Sequence, residues 1–177
     1  MSADIATNLR VEKLSDAHSN ELVQFKNQEK DLVEFLAEDA LSNHRLRISQ
    51  TYLFFLDEPK TLVGYVTLLS DSIRIEENEM LRGYFNSKGV HYKSLPALKI
   101  GRMATSEKYQ KKGVGSTMIY FSIEMANRIS GIAGCRFVTV DAKQAAMGFY
   151  NRLGFKKLKE GETVAMYLDL FLGSEVA

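Results

Sequence analysis

The stretch from Leu95 to Ile129 constrains this chain more than any other. "LPALKIGRMAT" reads as a strand ending near Thr105. A turn follows over residues 106–112, within "KYQKKGVGSTM" (108–118), and a helix begins near Gly113. Val114, Met118, Phe121, Met125 and Ile129 fall on one stripe, which Ile119, Ile123 and Ala126 widen, so the helix is expected to lie on a sheet. The first N–H groups of a helix have no intrahelical partner and sit at the positive end of its dipole. Gly113 and Gly115 remove Cβ atoms there, and Lys108, Lys111 and Lys112 add positive charge. The pattern reads as an anion site built mainly from backbone, suited to a diphosphate. A P-loop is excluded because no lysine follows Gly115, and the dinucleotide fingerprint fails at Met118, where a third glycine belongs. On these residues alone, a glycine turn with lysines that only face solvent is the alternative.

The rest of the chain supplies the sheet. Leu9–Leu14 reads as a short opening strand, with Ser15 or Asp16 as an N-cap for the segment after it. Leu32, Val33, Phe35, Leu36, Ala40 and Leu41 give residues 28–41 a helical period. Residues 50–56 and 61–69 flank "DEPK" as a hairpin. Residues 71–94 lack a clear period and are expected to be a helical or irregular insertion with a loop. Gly101 inside its strand suggests a bulge or a close backbone approach. Gly131 and Gly134 are expected to end the long helix. "RFVTVD" reads as a strand, residues 143–152 as a helix stopped by Gly154, and the remainder as two strands around "KEGE". This order predicts one α/β domain over residues 1–177, a mixed sheet with helices on its faces rather than a regular doubly wound repeat.

Composition narrows the function classes. A formal net charge of +1 does not announce a nucleic-acid binder, although "HYKSLPALKIGR" and "KYQKK" are basic and "DSIRIEENEM" is acidic. The single cysteine, Cys135, lies in an apolar run and is expected to be a core residue, which fits a reducing cytoplasm. No leader pattern and no apolar run of membrane-spanning length is visible, so a cytoplasmic protein with no membrane partner is expected. His18, His44 and His91 are far apart without ligand-like neighbours, so no metal site is expected, and no G-x-S-x-G elbow is present.

"GRMATSEKYQKKGVGSTM", followed by "AAMGFYNRLGF", resembles the GNAT superfamily of N-acetyltransferases. The first block is similar to its Q/R-x-x-G-x-G/A acetyl-CoA motif, the second to its closing motif through Ala146, Tyr150, Gly154 and Phe155. The resemblance implies a GNAT-like fold: a mostly antiparallel twisted sheet, a splayed parallel strand pair and flanking helices. It implies acetyl-CoA as co-substrate and no metal. The pyrophosphate would lie on the amides of Gln110, Lys111, Lys112, Gly113, Val114, Gly115 and Ser116. The pantetheine arm would bond to Met103, Ala104 and Thr105 like an added strand, with Gly101 allowing the gap to open. The family's frequent Asn is replaced here by Lys143, so that contact is not carried over.

Moving an acetyl group from a thioester to an amine needs a neutral amine, an oxyanion donor and a stabilised leaving thiolate. The N–H of Met103 or Ala104 is the expected donor. Tyr150 is the expected acid, on the resemblance, with a core aromatic as its alternative role. The base is not identifiable among Asp71, Glu76, Glu77, Glu79 and His91. Cys135 is not expected to carry an acyl group. The acceptor is expected to be a primary amine of a small molecule or protein. "FKNQEKDLVEFLAEDAL" also resembles the GNAT branch that includes toxins acetylating aminoacyl-tRNA, with Asn27 where Cys is usual, which makes tRNA an alternative partner. Arg45, Arg47, Arg74, Arg82, Lys88, Lys93 and Lys99 are the cations that would serve it. A module that binds acyl-CoA without catalysis is a further alternative. The apolar "VAMYLDLFL" is a reason to expect pairing of a homodimer through a sheet edge.

Overall fold

Strand β1 (Arg10–Lys13) leads through a 3-10 turn (Asp16–His18), capped by Ser15, into α1 (Ser19–Gln24). The computed structural model describes residues 8–171. Helix α2 (Lys30–Glu34) continues through a π segment (Phe35–Asp39) into α3 (Ala40–Arg45). Strands β2 (Gln50–Asp57) and β3 (Lys60–Arg74) form the expected hairpin, and β3 runs on five residues beyond Leu69. A 3-10 turn (Ile75–Glu77) and α4 (Glu79–Ser87) precede β4 (Ser94–Thr105). Residues 71–94 hold the end of β3, the 3-10 turn, a helix whose N-cap, Asn78, accepts from Leu81 N–H at 3.0 Å, and a loop over residues 88–93. Helix α5 (Val114–Ala133) is followed by β5 (Phe137–Ala142), α6 (Met147–Arg152), β6 (Lys156–Glu160) and β7 (Val164–Asp169). Gly131 lies inside α5 rather than ending it; Gly134, at φ +75°, is the stop.

The strands form one seven-stranded sheet in the order β1-β2-β3-β4-β5-β7-β6. The pairs β1/β2, β2/β3, β5/β7 and β6/β7 are antiparallel by register. β4 also runs against β3, since Ser106 N–H donates to Val63 O and Gly64 lies beside Ala104 O. β4 and β5 are the parallel pair, linked by the α5 crossover that such a pair requires. Their start is fixed where Arg136 N–H donates to Pro96 O at 2.9 Å. β7 lies between β5 and β6, so both its edges are used. Its apolar sequence reflects that central position, and the edge-pairing reason for a homodimer lapses. Leu172 of that stretch lies outside the described residues.

Contacts group the chain into two units, Met1–Leu69 with Ile100–Ser122, and Ser70–Lys99 with Ile123–Ala177. In the first, the period-2 alternation of β2 divides its side chains between two layers. Leu53 and Phe55 join Leu14, Phe25, Leu36, Ala40, Tyr65 and Ala104 under α1–α3. Tyr52 and Phe54 instead meet Phe121 of α5, with ring centroids 4.9 and 5.4 Å away. In the second unit, Ile73, Ile75, Leu81, Phe85, Leu95, Ala97, Phe137 and Tyr167 form the core. Arg136 closes it. Its guanidinium lies over the rings of Phe85 and Phe171, 5.1 and 4.8 Å from their centroids, and pairs with the buried Asp169.

Candidate active site: the end of β4, the turn and the start of α5

The site begins with a ladder. Ser106 N–H donates to Val63 O at 2.8 Å. Alternation along an antiparallel strand then sends the N–H and C=O of Ala104 toward β3 as well, and those of Met103 and Thr105 to the other edge. Two observations agree. Ala104 O lies 3.0 Å from where a Cβ on Gly64 would stand. Thr105 O is found off the ladder, accepting from Asn27 Nδ2 at 2.8 Å. Met103 N–H, Met103 C=O and Thr105 N–H therefore face the edge away from β3, whereas Ala104 N–H, expected with Met103 as an oxyanion donor, faces β3. Gly101 is needed sterically: a Cβ there would fall 2.7 Å from Leu69 Cδ2.

The end of β4 is tied down by the α1–α2 connection. Glu107 N–H donates to Lys26 O at 3.0 Å. Asn27 Oδ1 accepts from Glu29 N–H at 2.8 Å while its amide holds Thr105, so one side chain fixes both the start of α2 and the end of the strand.

Beyond Thr105, a 3-10 turn (Glu107–Tyr109) leads to exposed backbone at Gln110, Lys111, Lys112 and Gly113. Lys111 has φ 59° and Gly113 φ 83°. Positive-φ residues alternating with ordinary ones turn successive N–H groups toward one concavity, an anion nest. The first helical bond runs from Thr117 N–H to Gly113 O at 3.0 Å. The N–H groups of Val114, Gly115 and Ser116 lie upstream of it and point out of the helix end. Val114 is buried and anchors that end, while Gly115 and Ser116 are half-buried. Lys112 Nζ folds back over the Tyr109 ring at 5.4 Å, and Lys108 and Lys111 are exposed. A backbone nest, a helix start and free lysines together suit a diphosphate.

In the second unit Tyr150 is buried on α6, its ring packed edge-on against Phe149 and Phe155 at 5.1 and 5.5 Å. Gly154, at φ 89°, ends the helix, and Phe155 N–H closes back on Tyr150 O at 3.1 Å. The Tyr150 hydroxyl makes no hydrogen bond among the described residues, and burial pushes its pKa up to about 12.

Residues 49–157 match the family model described as "Acetyltransferase (GNAT) domain". The chain belongs to the GNAT acetyltransferase family. It is similar to solved structures along nearly its whole length. AtaT complexed with acetyl-methionyl-tRNAfMet is 25% identical, with TM-score 0.82, covering 96% of this chain and 98% of that one. AtaTR bound with AcCoA is 26% identical, with TM-score 0.75 and coverages of 93% and 95%. A tyrosine-to-phenylalanine mutant of the AtaT toxin, bound to the C-terminus of the antitoxin AtaR, is 25% identical, with TM-score 0.75 and coverages of 92% and 94%.

The other candidate groups of this GNAT acetyltransferase are engaged or exposed. Asp71 accepts from Thr139 Oγ1 at 2.6 Å, Glu77 faces Arg74 and Lys159, and His91 Nδ1 lies 3.1 Å from Asn86 Oδ1. Glu76 and Glu79 are exposed on the segment before α4 and at its start. Cys135 is buried, and its burial raises the thiol pKa, the opposite of an activated nucleophile. Of the cations weighed for tRNA, Arg45 pairs with Asp16, Arg74 with Glu77 and Lys99 with Asp141. Sequence reasoning missed the positioning roles of Asn27 and Gly64. Asn27 was visible only as a departure from the branch pattern, and Gly64 only as a glycine within a strand. Among the described residues, no helix is long and apolar enough to cross a membrane.

Proposed function

We propose that this acetyltransferase moves the acetyl group of acetyl-CoA to the α-amino group of an aminoacyl-tRNA. The observation that carries this reading is the full-length likeness to AtaT complexed with acetyl-methionyl-tRNAfMet, in fold and in chain coverage. Acetyl-CoA is the co-substrate, and its thioester supplies an acyl carbon open to attack by a neutral amine.

The chain's residues divide the work. Amides of Gln110, Lys111, Lys112, Gly113, Val114, Gly115 and Ser116 hold the diphosphate. Thr105 N–H and the free groups of Met103 align the pantetheine arm as an added strand. Met103 N–H donates to the carbonyl oxygen as negative charge develops there. The C–N bond forms, the C–S bond breaks, and Tyr150 donates a hydrogen bond to the departing sulfur. Burial raises this phenol to about 12, which favours donating a hydrogen bond over giving up the proton. Tyr150 therefore stays a phenol, and the proton that ends on sulfur is the one the amine gives up.

A tRNA acceptor would make the cytoplasm its site of action, and by its likeness to the AtaT toxin we infer that an antitoxin segment restrains it. The test is a competition. Labelled acetyl-CoA is offered with charged tRNA, polyamines and lysine peptides together. Label should enter the RNA fraction and leave it as N-acetyl amino acid on mild alkaline hydrolysis. Label confined to the amines or peptides would overturn the reading and restore the small-molecule or protein acceptor.

A further inference from the structure

Arg102 immediately precedes Met103, and its side chain shares a strand face with that of Ala104, the face covered by α1–α3. It is exposed, and no carboxylate pairs with it among the described residues. Its guanidinium lies over the Phe35 ring, 5.4 Å from the centroid. That ring is stacked on Tyr65 at 6.4 Å with an interplanar angle of 23°. Tyr65 is anchored in turn, its hydroxyl donating to Leu32 O at 2.7 Å. Phe35 opens the π segment, where Ala40 N–H reaches back five residues to Phe35 O. π segments of this kind recur at functional sites. One Arg102 donor is spent within the strand, Nη1 to Gly101 O at 3.0 Å. The other N–H groups of this exposed guanidinium have no protein acceptor among the described residues.

An arginine held flat on a ring, with donors in hand and no carboxylate, is a preorganised receptor for a phosphate. Adjacent Cα atoms are about 3.8 Å apart. The guanidinium is thus within one side chain's length of the N–H assigned to the reacting carbonyl. We propose that Arg102, seated on Phe35, binds a backbone phosphate at the 3′ end of the acceptor tRNA and so sets the acceptor amine beside Met103. The inference rests on the acetylation of aminoacyl-tRNA proposed above, and Arg102 acts as a specificity residue within that reaction.

The experiment measures kcat and KM for aminoacyl-tRNA over a salt series, for the wild type, Arg102→Gln, Arg102→Lys and Phe35→Leu. In parallel, each variant acetylates an amino acid amide that carries no phosphate. Acetyl-CoA affinity and melting midpoint serve as controls of fold. Arg102→Gln should raise KM for tRNA about tenfold, the scale of one charge-assisted contact. It should also flatten the slope of log KM against log salt by about 0.7, as expected for one phosphate of a single strand. Arg102→Lys should keep that slope and recover part of the affinity, and Phe35→Leu should fall between. The preference for tRNA over the amide should drop with KM. An unchanged KM and salt slope in Arg102→Gln would overturn the proposal, as would an equal loss on the phosphate-free amide. If the wild type acetylates no charged tRNA at all, the acceptor reading itself has failed, and this inference falls with it.

Discussion

Gly64→Ala tests whether the site depends on how closely β3 backs β4. The bulge between Phe54 and Phe55 leaves Val63 out of register, and Val63 O is the group that receives Ser106 N–H. Gly64, next along, faces Ala104 O. A methyl placed there meets that oxygen at 3.0 Å and Met118 Sδ at 3.1 Å. Ordinary contact begins near 3.4 Å, so a few tenths of an ångström must be found. The methionine end can swing aside, but the carbonyl belongs to a planar peptide that also carries Thr105 N–H. Moving one moves the other, away from the pantetheine arm. Overpacking of this kind costs about 1–3 kcal/mol of stability. The misplaced donor should weaken acetyl-CoA about fivefold, the worth of one hydrogen bond of about 1 kcal/mol. Calorimetric titration reads the affinity, and thermal unfolding reads the stability. Gly83→Ala is the control: it lies within α4 with nothing within 4 Å of the new methyl, and it should raise stability by about 1 kcal/mol. A Gly64→Ala protein that binds acetyl-CoA as tightly as the wild type would refute the reasoning.

Tyr150→Phe should lower kcat with little change in acetyl-CoA affinity. Because burial raises this phenol from 10.0 to about 12, it should impose no falling limb on the pH–rate profile below about pH 11. The same shift gives stability that is complete below pH 10 and is lost as pH climbs toward 12, about 3 kcal/mol in all. Alkaline unfolding of Tyr150→Phe should lack that share. Asn27→Ala removes two hydrogen bonds and should cost about 1–3 kcal/mol while raising the KM for acetyl-CoA; an unaltered KM would show that Thr105 holds its place without help. Arg136→Ala strands the buried Asp169 carboxylate, now 3.0 Å from Nη2, and should cost about 3–5 kcal/mol in denaturant unfolding. A loss below about 1 kcal/mol would mean that the aromatic surround, not the pair, holds this end of the second unit.

The parts of the fold that sequence reasoning reached are those with an unambiguous period or a forced turn. The stripe from Val114 to Ile129 and the hairpin around residues 58–59 stand almost where expected. Residues 71–94 resisted because β3 continues to Arg74 with Ile73 as its one apolar residue among Asp71, Ser72 and Arg74, and because α4 is short. Asn78, three residues before Leu81, was its one legible start signal. The π segment was hidden, since Phe35, Leu36 and Ala40 satisfy an ordinary helical spacing. Gly131 misled because a glycine near a helix end resembles a stop, whereas the conformation that ends α5 belongs to Gly134. The apolar run of β7 suggested a hungry edge but marks a strand flanked on both sides. At the proposed site, the positive-φ turn at Gly113 and the exposed Lys108 and Lys111 were readable from residue type alone. The direction in which the Met103 and Ala104 amides point was not, since it follows from a register that only Val63 and Ser106 disclose.

The most direct measurement is a calorimetric titration of acetyl-CoA into the purified protein, compared with the same titration of Gly113→Val, which places a branched side chain at φ 83° in the turn. The wild type should release heat with one site per chain and an affinity in the micromolar range or tighter, and Gly113→Val should give almost none. No heat from the wild type at millimolar ligand would contradict the claim that the backbone between Gln110 and Ser116 grips the diphosphate.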